Sequence, residues 1–151
     1  MNECSSTPLV NLIADEVLPS VEFYTRHLGF TETFRTPRDD IPVHVELVLG
    51  TLKIAISARS AARTDHGLDL QPGPPRVDLG FWCEDADAAY TALLEAGVPG
   101  LASPHDSGPN RIGFLTDPAG HLVSVCLSGH TDQRIGRWAP SSQLDEGGLA
   151  G

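Results

Sequence analysis

Between Pro8 and Leu127 the chain passes twice through the same order of patterns, and this duplication limits the fold more than any other feature. In the first pass, Pro8 to Ala14 reads as a strand. Val17, Val21, Tyr24 and Leu28 then recur at helical spacing, with Pro19 in the first turn and Gly29 as the left-handed residue past the end. His44–Leu49 and Leu52–Ser57 flank Gly50-Thr51 as a hairpin with a tight turn. In the second pass, Asp78 to Cys83 is strand-like. Asp85 caps a helix whose Ala86, Tyr90 and Leu93 share a side, and Gly97 ends it. Arg111–Thr116 and His121–Leu127 are apolar runs joined by the turn Asp117-Pro-Ala-Gly120. Each helix gives way to Gly and a bulky apolar residue, Gly29-Phe30 and Gly97-Val98. The expected fold class is therefore α+β, with two tandem βαβββ modules. The predicted boundaries are about 8–58 for module 1, 59–76 for an aperiodic connector and 77–127 for module 2. Residues 1–7 read as a frayed terminus, and 128–151 as a tail, partly disordered, with few apolar positions beyond Ile135, Trp138 and Leu144.

The chain has 20 acidic against 10 basic residues, a net charge of −10, and its basic residues are scattered. Without a clustered basic surface it has no means to displace counterions from a phosphate backbone, so nucleic acid is not an expected partner. No apolar run reaches the roughly 20 residues of a membrane-spanning helix, so a membrane is not expected either. Cys4, Cys83 and Cys126 leave one thiol over in any disulfide scheme and show no CxxC spacing. A reducing, cytoplasmic location is expected on that ground.

The segment from Val10 to Phe30, with Ser20, Phe23, Tyr24 and Leu28-Gly29-Phe30, resembles the opening of the vicinal oxygen chelate superfamily. That group holds glyoxalase I, bleomycin-resistance proteins, extradiol dioxygenases and methylmalonyl-CoA epimerase. Leu79 to Ala89, Glu95 to Val98 and Asp117 to His121 extend the resemblance through the second half, so that it covers about residues 8–127. These motifs specify caps, turns and core, and leave the chemistry open.

The resemblance implies that the two modules form a curved mixed sheet with a concave cleft, and that up to four metal ligands, drawn from His, Glu and Gln, stand on inward-facing strand positions. Counting from the shared motifs places them at Leu9, Ala55, Asp78 and Ser124. Leu and Ala cannot coordinate, Ser is a poor ligand, and one Asp is too few for a divalent cation. No metal cofactor is expected at those positions. A relocated site is the alternative: if Gly50-Thr51 is a two-residue turn, Glu46 lies opposite Ala55, and His44, Glu46 and Asp78 supply one imidazole and two carboxylates.

The period of two in a strand then assigns the cleft. His44, Glu46 and Val48 face it with Lys53, Ala55 and Ser57; Leu9, Asn11 and Ile13 join them, as do Asp78, Gly80, Trp82, Leu122, Ser124 and Cys126. Several of these have two readings: Trp82 is core or a stacking platform, Glu46 is a binding charge or the partner of Lys53, and His44 is a structural histidine or a base. Arg111, with Asp106 to Asn110, sits where the resemblance implies a loop over the entrance, so a lid role is expected there.

An acidic cleft with an aromatic and no metal is most similar to the bleomycin-resistance branch, whose members are homodimers that sequester a cationic drug unchanged. The first expectation is accordingly a metal-independent protein that binds a cationic or aromatic antibiotic or metabolite through His44, Glu46, Asp78, Trp82, Leu9, Asn11, Ala55, Ser57, Arg111 and Ser124. The second is an enzyme of the superfamily, a lyase, isomerase, cyclase or dioxygenase. It would use Glu46 or His44 as base and Asp78 or Ser124 to hold the substrate, without metal or with the relocated one. A third is a structural or regulatory domain whose cleft is filled by its own tail, with Trp138 as plug.

Overall fold

The computed structural model describes residues 8–129 and 137–142, so the expectations for residues 1–7 and most of the tail lie outside the described residues. In chain order the elements are β1 (Val10–Ala14), α1 (Val17–Arg26), β2 (Thr31–Thr36), β3 (His44–Leu49), β4 (Leu52–Ala58), α2 (Arg59–His66), β5 (Asp78–Trp82), α3 (Ala86–Glu95), β6 (Gly100–Ser107), β7 (Asn110–Thr116) and β8 (Leu122–Leu127). Compactness divides the chain at Pro72 and Gly73, inside the predicted connector, with Arg26–Leu28 grouped with the second unit. No helix among the described residues is long and apolar enough to cross a membrane.

Each module is a four-stranded mixed sheet with the same topology. The order is β1-β4-β3-β2 in the first and β5-β8-β7-β6 in the second. The first strand pairs parallel with the last, and the others pair antiparallel. A parallel pair needs a long crossover, which α1 and α3 begin.

The β3–β4 hairpin has the predicted register: Leu49 lies opposite Leu52, Val48 opposite Lys53 and Glu46 opposite Ala55. Gly50, at φ +57°, supplies the left-handed turn residue that this two-residue connection requires. One face of the sheet is sealed by its helix. Leu12, Val45, Leu47, Ile54 and Ile56 are at most 1% exposed, and Tyr24 of α1 is fully buried, edge-on to Phe23 and Phe30. Module 2 repeats the arrangement with Leu79, Phe81, Leu115, Val123 and Val125 beneath Ala86, Ala89, Tyr90 and Leu93 of α3. The side chain of Asp85 caps α3 by accepting the Ala88 N–H at 3.0 Å. Asp117 folds the β7–β8 turn by accepting from the N–H groups of Ala119 and His121.

Three features depart from the expectations. The connector contains α2, which has no apolar period because only Ala62 is buried. Its end is set by backbone instead: Gly67 at φ +67° donates to the Arg63 carbonyl, and Leu68 to that of Ala62. The segment predicted as a lid is a hairpin turn, with Ser107 opposite Asn110 and Gly108 at φ +56°. Trp138 does not plug the face that carries Asp78. Its ring packs 4.8 Å from that of Phe81, whose side chain points to the opposite, helix-bearing side of β5. Its N–H donates to the Trp82 carbonyl at 2.7 Å and its indole Nε1 to that of Leu28 at 2.9 Å.

Candidate functional site

Alternation leaves one face of each sheet uncovered by its own helix, and the polar side chains gather there. In module 1 that face presents Asn11, His44, Glu46, Lys53 and Ser57, with Leu9 38% exposed just before β1. Because Ser57 lies directly across from His44, the Ser57 hydroxyl reaches His44 Nδ1 at 2.7 Å. His44 Nε2 lies 3.0 Å from Glu46 Oε2, and Lys53 Nζ lies 2.7 Å from Glu46 Oε1. An ionised carboxylate only accepts, so Nε2 carries a proton; in the neutral ring Nδ1 is then the acceptor and Ser57 the donor. Lys53, and after it His44, holds the Glu46 carboxyl below the usual carboxylate range. Phe34 of β2, 44% exposed, stands edge-on to His44 with ring centroids 6.3 Å apart.

In module 2 the open face carries Asp78, Gly80 and Trp82 of β5 beside Leu122, Ser124 and Cys126 of β8. The buried Ser124 hydroxyl donates to Asp78 Oδ2 at 3.1 Å. Gly80 leaves room for this pair, since a Cβ there would lie 3.3 Å from Ser124 Oγ. Asp78 is exposed and forms no ion pair among the described residues. Trp82 is 38% exposed, too open for a core aromatic. Phe114, opposite Ser124 on β7, shares this face and stacks on His105 at 6.4 Å.

Arg111 belongs elsewhere. Its Nε and Nη2 donate to the two carboxylate oxygens of Asp87 on α3 at 2.7 and 3.0 Å, and its Nη1 to Asp106 at 3.0 Å. It therefore sits on the helix side of its sheet, a correction to its expected place among the binding residues. Sequence reasoning also missed Phe34, Phe114 and His105. The β7–β8 turn would have revealed Phe114, because Asp117-Pro-Ala-Gly120 sets Thr116 opposite Leu122 and hence Phe114 opposite Ser124. Phe34 and His105 lie on edge strands whose register shifts, between Glu32 and Phe34 and between Ala102 and His105, and alternation does not carry across such irregularities.

The paired βαβββ topology has its counterpart in known proteins. A sequence model of the Glyoxalase/Bleomycin resistance protein/Dioxygenase superfamily matches residues 8–125. The chain belongs to that superfamily.

Among solved structures, a glyoxalase/bleomycin resistance protein/dioxygenase from Nocardioides is 21% identical, over 90% of this chain and 93% of that one, with a TM-score of 0.67. TioX from Micromonospora sp. ML1 is 19% identical over 82% and 99%, with a TM-score of 0.63. Lactoylglutathione lyase from Agrobacterium tumefaciens is 19% identical over 83% and 95%, also with a TM-score of 0.63. At these identities the likeness is one of fold. No curated protein matches the chain.

The metal that other members of the superfamily carry can be tested against the donors present. Ala55 is fully buried with only a methyl group, Leu9 offers no donor, and the Ser124 hydroxyl is spent on Asp78. Among the described residues no three His, Cys, Asp or Glu side chains group to hold an ion, and His44 with Glu46 supplies two donors of such a set. Among the described residues, neither module gathers the three or four donors that a divalent metal takes.

Proposed function

We propose that this protein binds a small cationic or aromatic molecule without a metal, sequestering an antibiotic or metabolite, and that Trp82 and Asp78 are the anchors. One observation carries the reading: Trp82 and Asp78, which forms no ion pair among the described residues, stand on the same open face of β5, four residues apart. The indole offers a flat face to a ring or cation, an attraction of about 0.5–2 kcal/mol. Asp78, held in place by Ser124, offers a countercharge that no cation among the described residues neutralises. Glu46, grouped with Asp78 on sequence grounds, is a weaker candidate for attracting a cation because Lys53 and His44 already occupy its oxygens. The reading includes a cytoplasmic homodimer. Titrating planar aromatic cations against tryptophan fluorescence tests it: saturable quenching with the compound recovered unchanged supports binding, whereas a chemically altered compound refutes sequestration.

A second reading, an enzyme of the superfamily working through module 1, is favoured by the hydrogen bond from His44 to Glu46. That bond orients a half-buried imidazole as a base on the open face.

A further inference from the structure

The base on the open face of module 1 already has a hydroxyl in hand. The carboxylate of Glu46 fixes the proton of His44 on Nε2, leaving Nδ1 as an acceptor 2.7 Å from Ser57 Oγ. Carboxylate, imidazole and serine are thus joined in the order that activates a serine nucleophile, with the two ring nitrogens exchanged relative to the serine-protease arrangement. Such a constellation is recognised by geometry and roles, not by sequence position. Two further features fit an active group better than a structural one. The side chains of His44, Glu46 and Lys53 are 27%, 19% and 25% exposed, so the chain of bonds opens to solvent instead of closing off a core. Asn11, exposed on the neighbouring strand, sits opposite Ala55 and so on the same face as Ser57. Its amide is a hydrogen-bond donor on that face, one alternate position along the sheet from the hydroxyl, since Ile13 is the residue directly opposite Ser57.

We infer that Ser57 is a nucleophile for acyl transfer, with His44 as its general base, Glu46 as the positioning residue, Asn11 as the donor to the developing oxyanion, and a small activated carboxylic ester as the substrate class. The Ser57 oxygen attacks the ester carbonyl while its proton passes to His44 Nδ1. The tetrahedral oxyanion collapses, the bond from carbon to the leaving oxygen breaks, and His44 returns the proton to that oxygen. Water then attacks the acyl-serine, giving a proton to His44; the bond to Ser57 breaks, the carboxylic acid leaves and Ser57 regains its proton. No oxidant or cofactor enters. Lys53 keeps Glu46 ionised throughout, as the lowered carboxyl pKa reflects. The inference rests on the second reading above, that the module 1 face performs chemistry, and is independent of binding at Trp82.

The test uses the full chain with a fluorophosphonate probe, mapped by mass spectrometry, and with p-nitrophenyl acetate under burst conditions. The expected result is a single adduct on Ser57 and a burst approaching one equivalent. Ser57→Ala should remove both, and Glu46→Gln should slow labelling by more than about tenfold. Asn11→Ala should slow ester turnover with labelling still on Ser57. An unmodified Ser57 in a folded wild-type protein overturns the inference. Hydrolysis that survives Ser57→Ala but is lost in His44→Gln also overturns it while leaving His44 as a base, and hydrolysis unchanged in both variants removes the second reading as well.

Discussion

The ammonium of Lys53 lies 2.7 Å from Oε1 of Glu46, a diagonal pairing across the β3–β4 hairpin that settles the charge on one sheet face. The carboxyl pKa is lowered by this contact first and by His44 second. A carboxylate with a depressed folded pKa contributes stability that is present above the ordinary glutamate value of about 4.3 and is lost as pH falls through the folded value. Glu46→Gln should therefore lower stability by about 1 kcal/mol at neutral pH, where it strands a half-buried lysine. Thermal melts across pH 3–8 should show the gap between variant and wild type closing in acid.

Arg111 ties β7 to Asp87 on α3 and to Asp106 across the hairpin, on the side of the sheet away from Trp82 and Asp78. Arg111→Ala should leave affinity for a module 2 ligand within about twofold of wild type. A larger loss on titration would return Arg111 to the binding residues.

Gly113 is a strand glycine held by packing. A Cβ there would meet Tyr90 Cδ2 at 2.9 Å and Pro104 Cγ at 3.2 Å. Gly113→Ala should cost about 1–3 kcal/mol by forcing α3 away from β7, and denaturant unfolding with an unchanged slope would measure it.

Asp85 satisfies one of the free N–H groups that begin α3. Asp85→Ala should cost about 0.5–2 kcal/mol, and Asp85→Asn should recover most of it in the same melts.

Much of this fold can be read from the sequence because the informative positions are local. Gly50-Thr51 sets the β3–β4 register, and that register alone places Ser57 across from His44 and Glu46 beside Lys53. The Asp117 turn does the same for β7 and β8. Helix α2 escapes such reading because one buried alanine makes no period. Strands β2 and β6 escape it because, as edge strands, they are largely exposed on both faces and are interrupted by register shifts. Arg111 misleads because the glycine-containing segment before it looks like a loop but closes as a tight hairpin, which turns the guanidinium toward α3. The site residues follow strand parity, whereas their partners depend on side-chain reach. Parity put Glu46 and Asp78 together as binding charges; Lys53 separates them.

The central claim, metal-independent binding at Trp82 and Asp78, is tested most directly by calorimetric titration of EDTA-dialysed protein with an acridinium dye. Saturable binding without added metal is predicted, weakened about twofold to thirtyfold in Trp82→Ala. In Asp78→Asn it should be weaker and less dependent on salt. Binding that appears only after a divalent metal is restored, or that is indifferent to both substitutions, would contradict it.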